Sequence, residues 1–221
     1  MRPLFEKNIP EEIYKKLNRS KHISQYFTSQ HVGKCADIYH DFLETGVELT
    51  KEGWKNYYFS VRDREVLEDA SVKVSKKVEV PLPIAKEYVY FRVIGQTWNG
   101  MAYEEMVMDF LQEHLKGVIM RKTPYIKDEK MFTDLEGYDE KTNELSFGVQ
   151  VKPASYNNMW TDYQDNARSN HEEQRKKYIQ MFKVPHYMVY YQSKDGSIVQ
   201  SNSVVTKIQF EIQYRESLIL E

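Results

Sequence analysis

MFTDLEGYDEKTNELSFGVQVKP, residues 131–153, reads as two strands joined by a polar turn. The link from Glu136 to Ser146 carries Gly137, Asp139, Lys141 and Asn143, residue types that suit a hairpin loop. Side chains alternate along a strand, so Gln150 and Lys152 share one face while Val149 and Val151 point into a core. Asp134, on the first strand, then meets Gln150 and Lys152 at one place on a sheet.

Further strands flank this pair. VIMRK (118–122) precedes it, and HYMVYYQ (186–192) follows, with SIVQSNS (197–203) returning across Lys194-Asp195-Gly196 as a hairpin. NARSNHEEQRKKYIQMFK (166–183) reads as a basic helix that stops before Pro185. Upstream the pattern turns helical. NGMAYEEMVMDFLQEHLKG (99–117) repeats Tyr103, Val107, Phe110, Leu111 and His114 at helical spacing and ends at Gly117. IPEEIYKKLN (9–18), HVGKCADIYHDFLETG (31–46, closed by Gly46) and TKEGWKNYYF (50–59, capped by Thr50) complete the helical part. In SVKVSKKVEVPLPIAKEYVYF (71–91) the alternation of Val72, Val74, Val78 and Val80 predicts a strand stopped by Pro81 and Pro83. A helix is expected from Pro83 to Val93. The expected class is α/β, a mixed central sheet flanked by helices, with a helical N-terminal region over 1–70 packed on the same domain as a core over 71–221.

Composition narrows the function. A chain of 221 residues can bury a sizeable core, and a single cysteine, Cys35, excludes an intramolecular disulfide and a multi-cysteine zinc site. The net charge of −2 leaves any nucleic-acid role to local patches. With no signal-like start and no apolar run near eighteen residues, the expectation is a soluble, cytoplasmic protein with no membrane partner. The histidines lack H-E-x-x-H spacing, and neither a P-loop, a dinucleotide fingerprint nor a G-x-S-x-G elbow is present. No nucleotide cofactor is expected.

A carboxylate, a second oxygen donor and a lysine converging on one sheet face suit metal-assisted phosphodiester hydrolysis. Mg²⁺ takes hard oxygen ligands, here Asp134 and Gln150, with Glu105 on the preceding helix able to approach the same cluster. Lys152 is placed to position an attacking water and to stabilise charge building on the phosphate.

The order Asp134…Gln150-x-Lys152, with Glu105 upstream, resembles the PD-(D/E)xK nuclease signature. More closely, the chain looks like the MjaI-type type II restriction endonucleases. The matching stretches are HVGKCADIYHDF with EGWKNYYF, then GQTWNGMAYEEMVMDFL, TPYIKDEKMFTDLEGYD and GVQVKPASY, in that order. The resemblance implies a sheet sandwiched between helices, Mg²⁺-dependent double-strand cleavage, and a homodimer acting on a short palindrome, CTAG as the first target. Two positions depart from the pattern. Gln150 stands where an acidic residue is usual, so a weaker ion site or greater reliance on Glu105 is expected. Thr133, not proline, precedes Asp134. On a helical wheel Glu104 sits beside Leu111 and Leu115 and Glu105 nearer the polar face. The resemblance places the helix glutamate on Glu105, with Glu104 as the fallback.

Charge distribution suits a cation-using enzyme on a polyanion. Residues 101–145 hold six Lys/Arg against eleven Asp/Glu, whereas 168–183 hold five against two. Arg168, Lys176 and Lys177 are the expected phosphate contacts. Ser155, Tyr156, Asn157 and Asn158, directly after the catalytic strand, are expected at the DNA, where asparagine can read adenine. Two other readings stay open: a structure-directed repair or recombination nuclease, and a non-catalytic DNA-binding module in which Gln150 marks a decayed metal site.

Overall fold

The computed structural model describes residues 3–158 and 162–219. The side chains of Ile126, Glu129, Asn157 and Asn158, and those of 162–168 and 215–219, lie outside the described set. The chain divides into two compact units, 1–102 and 103–221.

The first unit is helical. Its elements are α1 (Glu11–Arg19), a 3-10 turn (Lys21–Phe27), α2 (Ser29–Val32), α3 (Cys35–Glu44), α4 (Lys51–Val61), α5 (Arg64–Val78) and α6 (Leu82–Tyr90). A π-helical turn (Phe91–Gly95) carries α6 into α7 (Gln96–His114), within which the boundary of the units falls. Thr50 caps α4 as expected, its hydroxyl accepting the Gly53 N–H at 3.0 Å. The single helix expected over 31–46 is split at Gly33. A φ of 80° there suits glycine alone, and a Cβ would meet the Arg62 side chain at 2.6 Å.

The strand expected at Val72–Val80 is instead the second half of α5. Leu67, Ala70, Ser71, Val74 and Val78 are buried with helical spacing. Asp63 caps the start by accepting the Glu65 N–H, Lys76 and Lys77 occupy the last turn, and Glu79 in the left-handed region stops it. The period-two pattern of valines was a coincidence within a longer 3.6-residue repeat. Aromatic rings fill this unit's core. Trp54 bonds the Ile94 carbonyl at 3.0 Å, Tyr58 bonds the Val32 carbonyl at 2.7 Å, and Tyr39 meets Trp54 edge-on.

The second unit holds the sheet. Its strands are β1 (Val118–Lys122), β2 (Leu135–Asp139), β3 (Leu145–Pro153) and β4 (His186–Tyr191), in that spatial order. β1, β2 and β3 pair antiparallel, and β4 joins β3 in parallel. The parallel step is possible because α9 (Asp162–Phe182) makes the crossover. Two shorter pieces matter below: α8 (Tyr125–Met131), between β1 and β2, and α10 (Ser201–Ile219) after β4.

Register assigns the faces. Leu135, Val149, Val151 and Val189 are buried on one, where Tyr103 of α7 stacks on Tyr191 at 4.1 Å and Glu211 of α10 accepts the Tyr187 hydroxyl. On the other, Tyr178 of α9 lies over Gly148, where an added Cβ would come within 2.6 Å of its ring. The sheet is therefore mixed and flanked by helices on both faces, as expected. The hairpin expected across Asp195-Gly196 shrinks to one bridge, Tyr191–Ile198. The turn forms, with Asp195 accepting from Ser197, but Ser201 already begins α10, whose Ile208 is fully buried. No helix among the described residues is long and apolar enough to cross a membrane.

Candidate active site

Asp134 sits one residue before β2 and is held by backbone on both sides. Its N–H donates to the Val149 carbonyl at 2.9 Å, and its carbonyl accepts the Thr123 N–H at 3.0 Å. The carboxylate then turns toward β3. Oδ2 accepts the Val151 N–H at 2.7 Å and the side-chain amide of Gln150. A backbone donor aimed at a carboxylate fixes its direction. Asp134 and Gln150, sixteen residues apart, thus come together as the strand reading required.

Gln150 is buried because α9 covers its face, and its Oε1 has no hydrogen-bond partner among the described residues. A buried amide oxygen left unpaired is costly unless something else occupies it. Lys152, two residues on, is half-buried, with its ammonium 4.8 Å from the Phe132 ring centroid.

The two helix glutamates part company. Glu105 forms an ion pair with Lys122 at 3.1 Å. The Glu104 carboxyl interacts with the cluster. Burial first, and then the Asp134 carboxylate, push it well above the ordinary carboxylate range. Lys122 and Lys152 pull the other way, and Asp128 of α8 adds to the push. Three carboxyl groups and two cations therefore act on one another around Glu104.

No group of three or more His, Cys, Asp or Glu side chains among the described residues is arranged to hold a metal ion. The donor set is nevertheless the kind a hard cation takes. It comprises the Asp134 carboxylate, the Gln150 Oε1, unpartnered among the described residues, and a glutamate whose ionisation is suppressed by burial and by the Asp134 carboxylate. A bound cation would satisfy the amide oxygen and relieve the carboxyl pair together.

The departure at Thr133 also has a local reason. Its hydroxyl is fully buried, 3.1 Å from His186 Nε2 and 3.1 Å from the Met131 carbonyl that accepts it. Proline could make neither contact. His186 is tied further by Nε2 to the Phe132 carbonyl at 2.9 Å, and burial lowers its pKa to about 4.

The surface residues separate. Ser155 and, on α9, Lys176 and Lys177 are exposed. Tyr156 is half-buried, its hydroxyl 2.9 Å from His171 Nδ1. The side chains of Asn157, Asn158 and Arg168 lie outside the described residues. Sequence reasoning missed Lys122, Phe132 and His171. Lys122 ends a strand with an ordinary alternating pattern, and the other two matter only through stacking that no local spacing encodes.

No curated protein and no solved structure matches the chain. The model of the MjaI restriction endonuclease family does, over residues 15–213, a span that takes in most of the helical unit and nearly all of the sheet-bearing one. On that match the chain belongs to the MjaI restriction endonuclease family.

Proposed function

We propose that the protein is a type II restriction endonuclease of PD-(D/E)xK architecture, acting as a homodimer in a prokaryotic cytoplasm. Its substrate is double-stranded DNA cut at a short palindrome, CTAG being the first to test. The observation that carries the reading is the bonding of Asp134 to Gln150 and to the Val151 N–H, next to Lys152 on β3, with the Gln150 Oε1 buried and unpaired among the described residues. The family match supplies the class of chemistry.

In this reading Asp134 and Gln150 hold Mg²⁺, and Glu104 takes the part of the helix glutamate, because its carboxyl interacts with Asp134 and Lys152, while Glu105 pairs with Lys122. When bound, the ion supplies Lewis-acid charge against the scissile phosphate. Lys152 donates hydrogen bonds to the attacking water and to a non-bridging phosphate oxygen, countering the charge that builds there. The water oxygen bonds to phosphorus, the bond to the 3′-oxygen breaks, and that oxygen takes up a proton. The products are a 5′-phosphate and a 3′-hydroxyl. A two-fold dimer presents one such centre to each strand of a palindrome. Exposed Lys176 and Lys177 on α9, with Ser155, serve the DNA backbone, and the helical region 1–70 serves DNA contact or dimerisation.

Digestion of a fully sequenced phage DNA with Mg²⁺, beside Lys152→Ala and an EDTA control, tests this. Discrete fragments that vanish in both controls, with CTAG at the ends, are the expected result. Cutting confined to ends or junctions would mean a structure-directed nuclease. Intact DNA that is still bound would mean a binding module.

A further inference from the structure

Phe132 occupies a place where its residue type is costly. It closes α8 with φ 53° and ψ 55°, the left-handed region, donating its N–H to the Asp128 carbonyl at 3.1 Å. Glycine or asparagine is the ordinary choice for such a cap, and an aromatic side chain there is strained. Strain of this kind persists where the surroundings over-determine it. Here they do so on every side. The Phe132 carbonyl is bonded by His186, its ring is stacked on His171 at 4.0 Å and 11°, and the hydroxyl of Tyr156 fixes His171 at 2.9 Å. The ring is buried and cannot turn away.

What this fixed ring faces is the Lys152 ammonium, 4.8 Å from its centroid. A lysine stem is long and flexible, and one carbon–carbon rotation moves the charge by more than a hydrogen-bond length. An aromatic face attracts a cation without accepting a directional hydrogen bond, so it restrains the charge and leaves its donors free. An acidic partner would do the opposite, occupying the donors and neutralising the charge.

We infer that Phe132 is a positioning residue of the nuclease centre, its ring face holding the Lys152 ammonium in place for the scissile phosphate, with His171 and Tyr156 locking the ring. The inference rests on the role assigned to Lys152 above. It accounts for an aromatic residue in a glycine-like cap directly before Thr133-Asp134.

The test replaces Phe132 in the full-length protein by 4-fluoro-, 3,5-difluoro- and 3,4,5-trifluorophenylalanine, which nearly preserve volume while weakening the ring's negative face in steps. Single-turnover cleavage, DNA affinity without divalent cation, and melting temperature are measured for each. The expected result is a graded fall in rate, reaching about threefold for the trifluoro ring, with affinity and melting temperature unchanged. Phe132→Tyr keeps the face and restores the rate. A flat series, with Lys152→Ala inactive, overturns the inference while leaving the nuclease centre intact. Wild-type cleavage by Lys152→Ala overturns the assignment of Lys152 and the inference with it.

Discussion

Asp134, just before β2, and Glu136, within it, stand two residues apart and are treated oppositely by the fold. Glu136 is fully buried and fully matched. Lys127 of α8 pairs with it at 3.1 Å, and the hydroxyls of Tyr138 and Tyr178 donate to it at 2.7 and 2.8 Å. Lys127 in turn lies 4.5 Å from the Phe182 ring centroid, so one carboxylate ties both flanking helices to β2. Asp134 is given two N–H donors and then set near a second carboxyl, that of Glu104, beside an amide oxygen with no partner among the described residues. One carboxylate is spent on holding the layers together. The other is kept short of positive charge, which is the condition for taking up a cation and a phosphodiester.

The contrast breaks if the two behave alike on neutralisation. Asp134→Asn is expected to lower cleavage by three orders of magnitude or so, about 4 kcal/mol in the barrier. It should leave the urea midpoint unchanged or slightly raised, since the carboxyl repulsion goes with the charge. Single-turnover rates and equilibrium unfolding on the same preparation check this. A midpoint that fell steeply would make Asp134 another structural carboxylate.

Glu136→Ala should do the reverse. It strands a half-buried ammonium and two tyrosine hydroxyls, a loss of about 3 kcal/mol in unfolding free energy. DNA cleavage by the fraction that remains folded should stay near the wild-type rate. Burial and Glu136 together push the Tyr138 hydroxyl up to about 12 and raise Tyr178 further still. Removing the carboxylate should therefore bring the Tyr138 titration down toward its ordinary value, visible as phenolate absorbance at a lower pH.

His186 sharpens the same comparison from across β3. Its ring is neutral in the fold, with a pKa of about 4 set chiefly by burial and only partly offset by the Phe132 carbonyl. The unfolded chain binds that proton near pH 6.5, so stability is fully present above that pH and falls as pH drops toward 4, by about 3 kcal/mol for this group alone. His186→Gln should flatten that part of the profile, whatever it does to stability at pH 8. An unchanged slope would place the ring in a wetter setting than its burial indicates.

How far the sequence disclosed these features follows from the range of each interaction. Strand alternation over 145–153 was enough to set Gln150 and Lys152 on one face and bring Asp134 to them, because that geometry is local and periodic. Helix caps at Thr50 and the stop at Gly117 were legible for the same reason. The valines at 72–80 misled because four alternating positions were read without the capping Asp63 and the buried Leu67 and Ala70 that set the longer period. The Glu136 network stayed hidden. Its partners come from α8, β2 and α9, and a lone Glu in a strand looks like an exposed one until the covering helix is known.

The smallest effect bears on the pair of helix glutamates, of which the resemblance selects Glu105 with Glu104 as the fallback. Glu104 is destabilised by burial and by Asp134, so its carboxyl holds a proton in the fold that the unfolded chain releases at lower pH. Stability therefore declines as pH rises above the ordinary carboxylate range, and Glu104→Gln should remove that decline, a gain present at pH 8 that vanishes near pH 4. Glu105→Gln gives up a partly exposed ion pair with Lys122 and should lose about 0.5 kcal/mol at most. Mg²⁺ titrated by calorimetry separates the two again. Affinity should fall when Glu104 is neutralised and hold when Glu105 is. If Glu105→Gln is the variant that loses the ion, the helix contributes its outer glutamate to the centre, and the Glu104–Asp134 repulsion is a cost of packing with no part in holding the cation.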